Sequence, residues 1–213
     1  AYSSVWTKQI EYFSKKYEIE APDLNLASSI KHKASTILIG WSYGGMLAVE
    51  MASEEPEKFK ALVLVSCSAK FSDGVSIAVI KNIIRNLNKD FETTMRNCYR
   101  TFFYKEEAPS WNEFINPSPK QRDWVLPDKK ITIEILNRLA NLDLYNRLEF
   151  ITIPTLIVHG DKDEVCPLEA GMLLHKNIKG SRLKVLKDTG HMPFYTRAEE
   201  FNRILEDFID NVK

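Results

Sequence analysis

The chain has 213 residues, which is enough for one domain with a sizeable core. Lysine plus arginine and aspartate plus glutamate number 29 each, so no overall field attracts nucleic acid or an acidic membrane surface. The three cysteines are odd in number and widely spaced, which argues against a disulfide framework or a zinc site. No signal-peptide core or membrane-length apolar run occurs, so we expect a soluble, cytoplasmic protein that does not bind a membrane. We also expect a monomer that does not bind nucleic acid.

Helix and strand patterns alternate over the first 65 residues. The spacing of apolar residues predicts a helix over 5–13, a strand over 17–21 and a brief helix over 27–33. A β-branched strand at 36–39 then leads through G-x-S-x-G into an apolar helix that ends near Glu54. The continuous apolar run at 61–65 is typical of a parallel strand buried on both faces. This alternation predicts an α/β fold with a mostly parallel sheet.

The stretch 66–150 interrupts the alternation. It is helical in pattern, contains four prolines and is rich in aromatic residues. We interpret it as a helical cap inserted into a core formed by 1–65 and 151–213. Most of its aromatic residues are expected to pack between helices, and Phe102 and Phe103 are candidates for lining an acyl pocket. The core then resumes with strands at 155–158 and 182–186 and helices at 167–175 and 198–212.

The G-x-S-x-G sequence lies between a strand and a helix, which predicts a nucleophile elbow. Gly40 and Gly44 remove the Cβ atoms that would collide at so sharp a corner, so Ser42 projects from the strand end. The N–H of Tyr43 begins the following helix and is an expected donor to developing negative charge. Taken alone, the motif also fits a plain glycine-rich turn.

A base and an acid follow the serine in the chain order of this architecture. The loop after the predicted strand at 155–158 contains Asp161, Asp163 and Glu164, and the loop after the strand at 182–186 contains His191. The carboxyl ends of parallel strands meet at one edge, so these loops can converge over Ser42. The histidine would take the serine proton, and a carboxylate would orient the histidine. The ordered set predicts a serine hydrolase that needs no metal or cofactor.

Three blocks resemble the α/β-hydrolase superfamily: the elbow at 40–45, the loop from Gly160 to Pro167, and Gly190-His191-Met192-Pro193-Phe194. Together with Ser66-Cys67-Ser68-Ala69 they are similar to the pimeloyl-[acyl-carrier protein] methyl ester carboxylesterases of biotin synthesis. The resemblance implies that Ser42 is the nucleophile, His191 the base and Asp163 the acid. It also implies that Trp41 borders the substrate entrance.

The resemblance implies a carboxylesterase that releases methanol from a carrier-bound dicarboxylate ester. Two alternatives stay open: another α/β-hydrolase acting on small esters, lactones or C–C bonds, and a non-catalytic binding module of the same fold. The superfamily's His-Gly-x element, which supplies a second oxyanion donor, would fall before Ala1. We therefore expect N-terminal strands to be missing from this sequence.

Basic residues recur every four positions in the predicted cap, first as Lys81, Arg85 and Lys89 and then as Arg96 and Arg100. They would form a local positive surface on an otherwise neutral protein. Because acyl-carrier proteins are acidic, such a surface could steer the carrier toward the serine. An ordinary solvated helix face is the alternative.

Overall fold

A four-stranded parallel sheet forms the centre of the computed structural model, which describes residues 3–22, 35–116 and 127–212. Its strands lie side by side in chain order: β1 (Thr36–Trp41), β2 (Phe59–Val65), β3 (Thr155–Gly160) and β4 (Arg182–Leu186). The register pairs Trp41 with Val65, Val65 with Val158, and Gly160 with Leu186. The carboxyl ends of all four strands therefore reach the same edge of the sheet.

Helices cover both faces of this sheet, because β2 and β3 are apolar on both sides. Alternate residues of β2 point to opposite faces, so Val63 packs in one hydrophobic cluster and Leu64 in another. The first cluster includes residues of α1 (Thr7–Phe13), α8 (Pro193–Thr196) and α9 (Ala198–Asn211). The second includes residues of α2 (Tyr43–Glu54) and α7 (Leu168–Asn177).

The described residues between β2 and β3 form helices joined by loops, and none of them forms a strand. This stretch contains α3 (Ile77–Lys89), α4 (Phe91–Arg100), α5 (Ala108–Ile115) and α6 (Lys129–Asn141), together with short 3-10 turns. Its residues join both clusters: Phe103 and Phe114 pack in the first, Leu139 and Leu144 in the second. The division into core and cap stays a prediction. None of the helices in the described ranges has the length and apolar character of a bilayer span.

One predicted element of the described chain is wrong. Residues 17–21 form no strand, and Tyr17 and Ile19 are each 37 % exposed, so their alternation covers no buried face. A segment of alternating apolar and polar residues forms a strand only where the edge of another strand is available for pairing. No strand in the described ranges pairs with residues 17–21. The other four predicted strands lie within β1 to β4. The helix predicted at 27–33 lies outside the described residues.

Candidate active site

Ser42 lies at the corner between β1 and α2. Its backbone has φ 53° and ψ −123°, a left-handed conformation that a residue with a side chain rarely adopts. Two hydrogen bonds hold it there: its N–H donates to Val65 O at 3.0 Å, and its carbonyl accepts from Gly45 N–H at 2.9 Å. A Cβ on Gly40 would lie 2.4 Å from Gly44 O, so only glycine permits this close turn.

The other two loops bring their side chains to this serine. His191 Nε2 lies 3.0 Å from Ser42 Oγ, and His191 Nδ1 lies 2.7 Å from Asp163 Oδ2. Since a carboxylate only accepts, we assign the proton to Nδ1, which leaves Nε2 to accept the serine O–H. The two loops also bond to each other, because Lys162 N–H donates to Thr189 O at 2.9 Å. The structure thus joins the three predicted side chains in one hydrogen-bonded row.

Asp163 is buried and ionised. Burial by itself would raise the pKa of Asp163, but the adjacent His191 and His159 and the N–H of Cys166 lower it, and the net pKa lies below its ordinary value. Its Oδ1 accepts from the N–H groups of Val165 and Cys166 at 2.9 and 2.8 Å. These two bonds turn Oδ2 toward the histidine.

Asp161 has a different position. Its Oδ1 accepts from Thr189 N–H at 3.3 Å and its Oδ2 from Lys162 Nζ at 3.1 Å, so it braces the loops without reaching His191. Of the two aspartates, only Asp163 contacts the imidazole.

His159 packs beneath the acid loop. It is fully buried, its Nε2–H donates to Cys166 O at 2.7 Å, and Nε2 is 3.5 Å from Asp163 Oδ2. Burial lowers the pKa of His159, although Asp163 opposes that shift. This packed, hydrogen-bonded position gives His159 a structural role. Its proximity to the carboxylate was not foreseeable from sequence, since it depends on how the loop folds back.

Of the three predicted substrate-binding aromatics, Trp41 and Phe102 contact each other and the His191 ring, with ring centroids 5.1–5.7 Å apart. The Trp41 side chain is only 8 % exposed, and its indole N–H donates to His191 O at 2.8 Å. Trp41 is therefore held against the main chain of His191, where its polar N–H has a buried acceptor. That it borders the substrate entrance, as the resemblance implied, stays a prediction. Phe103 is buried and packs on Trp111 and Phe114, and its role in lining an acyl pocket stays a prediction. Phe102 alone is partly exposed beside the imidazole, 5.1 Å from the His191 ring.

Tyr43 is the first residue of α2, so its N–H belongs to the turn whose amides have no intrahelical partner. It directly follows Ser42, as the predicted oxyanion role requires. Its phenol oxygen accepts from Arg138 Nη1 of α6 at 3.2 Å, and Arg138 Nη2 also pairs with Glu50. The elbow helix is thereby tied to the helical stretch.

The five basic residues predicted to meet a carrier protein are not equivalent. Lys81, Arg85 and Lys89 are exposed at four-residue spacing on α3. Arg96 pairs with Glu92 at 3.7 Å, and Arg100 donates to Phe103 O at 3.1 Å. In the described ranges, no group of three or more His, Cys, Asp or Glu side chains is placed to hold a metal ion.

The chain belongs to the alpha/beta hydrolase fold family, whose model matches residues 23–198. This membership confirms the predicted fold class and makes the protein a hydrolase of the serine-nucleophile type.

Two relatives of known name and one solved structure also match most of this chain. The chain is 26 % identical over 212 residues to the pimeloyl-[acyl-carrier protein] methyl ester esterase of Neisseria meningitidis serogroup C, covering 94 % of this chain and 78 % of that protein. It is 29 % identical over 188 residues to the protein of the same name from Wigglesworthia glossinidia brevipalpis, covering 84 % and 71 %. Among solved structures, an esterase from Exiguobacterium antarcticum matches with a TM-score of 0.82 and 25 % identity, covering 99 % of this chain and 88 % of that one.

Proposed function

We propose that the protein is a serine carboxylesterase that hydrolyses the methyl ester of pimeloyl-acyl-carrier protein in biotin synthesis. The observation that carries the esterase chemistry is the row Ser42, His191 and Asp163, with contacts of 3.0 and 2.7 Å. The proposed substrate is that named for the relatives in Neisseria and Wigglesworthia. A cytoplasmic location and a monomeric state stay predictions.

In the proposed mechanism His191 Nε2 takes the proton as Ser42 Oγ attacks the ester carbonyl. The N–H of Tyr43 stabilises the oxyanion of the tetrahedral intermediate. His191 then gives its proton to the departing methoxide oxygen, which leaves as methanol. A water molecule deprotonated by the same nitrogen hydrolyses the acyl-enzyme and releases Ser42. Asp163 stabilises the imidazolium throughout, which its ionised state permits.

We place carrier recognition on α3. Lys81, Arg85 and Lys89 point into solvent from successive turns, so they are available to an acidic partner. Arg96 and Arg100 are engaged within the chain and contribute less in this proposal.

A fluorophosphonate probe tests the nucleophile. We expect it to label Ser42, with Ser42→Ala as the matched control that loses labelling while keeping its thermal unfolding temperature. Failure of the wild-type chain to label would favour the non-catalytic binding module.

Mass spectrometry of the free acid tests the substrate. We expect the chain to convert pimeloyl-carrier methyl ester to the acid. Cleavage of short esters without turnover of the carrier ester would instead favour another α/β-hydrolase activity.

Charge reversal tests the docking surface. Lys81→Glu, Arg85→Glu and Lys89→Glu together should raise KM for the carrier ester and weaken its salt dependence, while a short p-nitrophenyl ester is cleaved as before. A triple reversal of exposed lysines elsewhere (Lys176, Lys179 and Lys184) changes the net charge equally and is the control. Equal effects of the two triple variants would remove α3 from the proposal.

A further inference from the structure

The loop that carries His191 is bonded to the segment that joins α4 to α5. Phe102 O accepts from His191 N–H at 2.8 Å, and Glu107 Oε2 accepts from Gly190 N–H at 3.1 Å. The fit is close: a Cβ on Gly190 would lie 2.6 Å from Phe102 O and 2.9 Å from Glu107 Oε2. Two successive amides of the histidine loop therefore have their acceptors in the helical stretch.

Glu107 is an unusual residue to find at this junction. It is only 7 % exposed, and its buried Oε1 has no hydrogen-bond partner among the described residues. Its Oε2 accepts from Tyr104 N–H at 2.9 Å as well as from Gly190 N–H. No ion pair within the described ranges involves Glu107. Burying a polar oxygen without a hydrogen-bond partner is costly, so apolar packing alone does not explain a glutamate at this position.

We infer that Glu107 is a positioning residue for the catalytic histidine, an inference that rests on the proposed serine esterase mechanism. The imidazole is fixed by Asp163 at Nδ1, while its main chain is fixed by Trp41 at the carbonyl and by Phe102 at the amide. Glu107 adds the hold on the preceding amide. The Glu107 side chain thus makes the orientation of the His191 imidazole depend on the position of the segment between α4 and α5.

The chemistry requires an acceptor of the right length rather than a charge. A glutamine at 107 can present its amide oxygen to both N–H groups, with its NH₂ in the place of Oε1. An aspartate retains the charge but is one methylene too short to reach both donors. An alanine leaves the buried Gly190 N–H without a partner. The expected order of activity is therefore wild type, Glu107→Gln, Glu107→Asp and Glu107→Ala.

The experiment measures kcat and KM for a short p-nitrophenyl ester, the rate of fluorophosphonate labelling, and the thermal unfolding temperature of each variant. We expect Glu107→Ala to lower kcat and the labelling rate by about 10²-fold at nearly unchanged KM, because ångström-scale misplacement of a catalytic group has effects of this size. Glu107→Gln should restore most of the rate. Glu106→Ala, at the exposed neighbour, should stay within about twofold of wild type.

Three results would overturn the inference: a folded Glu107→Ala with wild-type kcat, a loss confined to the unfolding temperature, or a Glu107→Asp more active than Glu107→Gln. The last comparison decides the matter even if the alanine variant does not fold. Absence of labelling in the wild-type chain would instead refute the proposed serine mechanism, so the two failures are distinguishable.

Discussion

Replacing Asp163 by asparagine should almost abolish esterase activity while leaving the loop in place. In the wild type, Oδ1 accepts from two backbone N–H groups at 2.9 and 2.8 Å. Only the amide oxygen of an asparagine can take that position, so its NH₂ must face His191 Nδ1. Two donors cannot bond to each other, and the imidazole is driven to carry its proton on Nε2. It then presents a hydrogen to Ser42 instead of a lone pair.

The size of the loss follows from this forced tautomer. Analogous aspartate-to-asparagine changes in catalytic triads lower turnover about 10⁴-fold. That factor corresponds to about 5 kcal/mol of activation free energy at about 1.4 kcal/mol per tenfold. Asp161→Asn is the matched control two residues away. It keeps an amide oxygen for Thr189 N–H and weakens only the partly exposed pair with Lys162, so it should cost less than about tenfold.

The assay is steady-state hydrolysis of a p-nitrophenyl ester from pH 6 to 9, with circular dichroism to confirm folding. A folded Asp163→Asn that retains more than a tenth of wild-type kcat/KM would refute the reasoning. An Asp161→Asn as damaging as Asp163→Asn would also contradict it, because the acid would then be assigned to the wrong carboxylate.

Three further predictions concern the surroundings of the site. Trp41→Phe removes the N–H that donates to His191 O, and it should lower both kcat and the free energy of unfolding, the latter by about 1–3 kcal/mol as measured by urea denaturation. An unchanged urea midpoint would contradict a contribution of this buried hydrogen bond to stability. Burial raises the pKa of the Cys67 thiol to about 12, so at pH 8 iodoacetamide should modify Cys67 only in the unfolded chain, as followed by mass spectrometry; alkylation of the native protein would refute this. The pKa of Asp163 is lower in the folded protein than in the unfolded chain, so as the pH falls the Asp163 carboxylate is protonated in the unfolded chain before it is protonated in the folded protein. The stability it contributes is complete above the unfolded pKa of about 4 and is lost as the pH falls through the folded pKa, so urea midpoints should fall more steeply in acid for wild type than for Asp163→Asn, and parallel curves would refute it.

Sequence determined the parts that depend on local pattern. The run from β1 through Ser42 into α2 was predictable because strand, glycine corner and helix adjoin in the chain. The position of His191 followed from the rule that parallel strands end at one edge. Asp163 was identified by resemblance, and the structure places it at the histidine by way of two backbone bonds that no spacing reveals.

Tertiary structure alone decided which surfaces meet. The alternation at 17–21 forms no strand because pairing depends on a neighbouring edge, which is a property of the assembled sheet. Trp41 donates its indole N–H to the carbonyl of His191, which lies 150 positions further along the chain. Glu107 reaches Gly190 across 83 positions of the chain. Such contacts depend on how the helical segment between β2 and β3 packs on the sheet. The free energy of that packing comes from contacts between distant parts of the chain, which local sequence patterns do not encode.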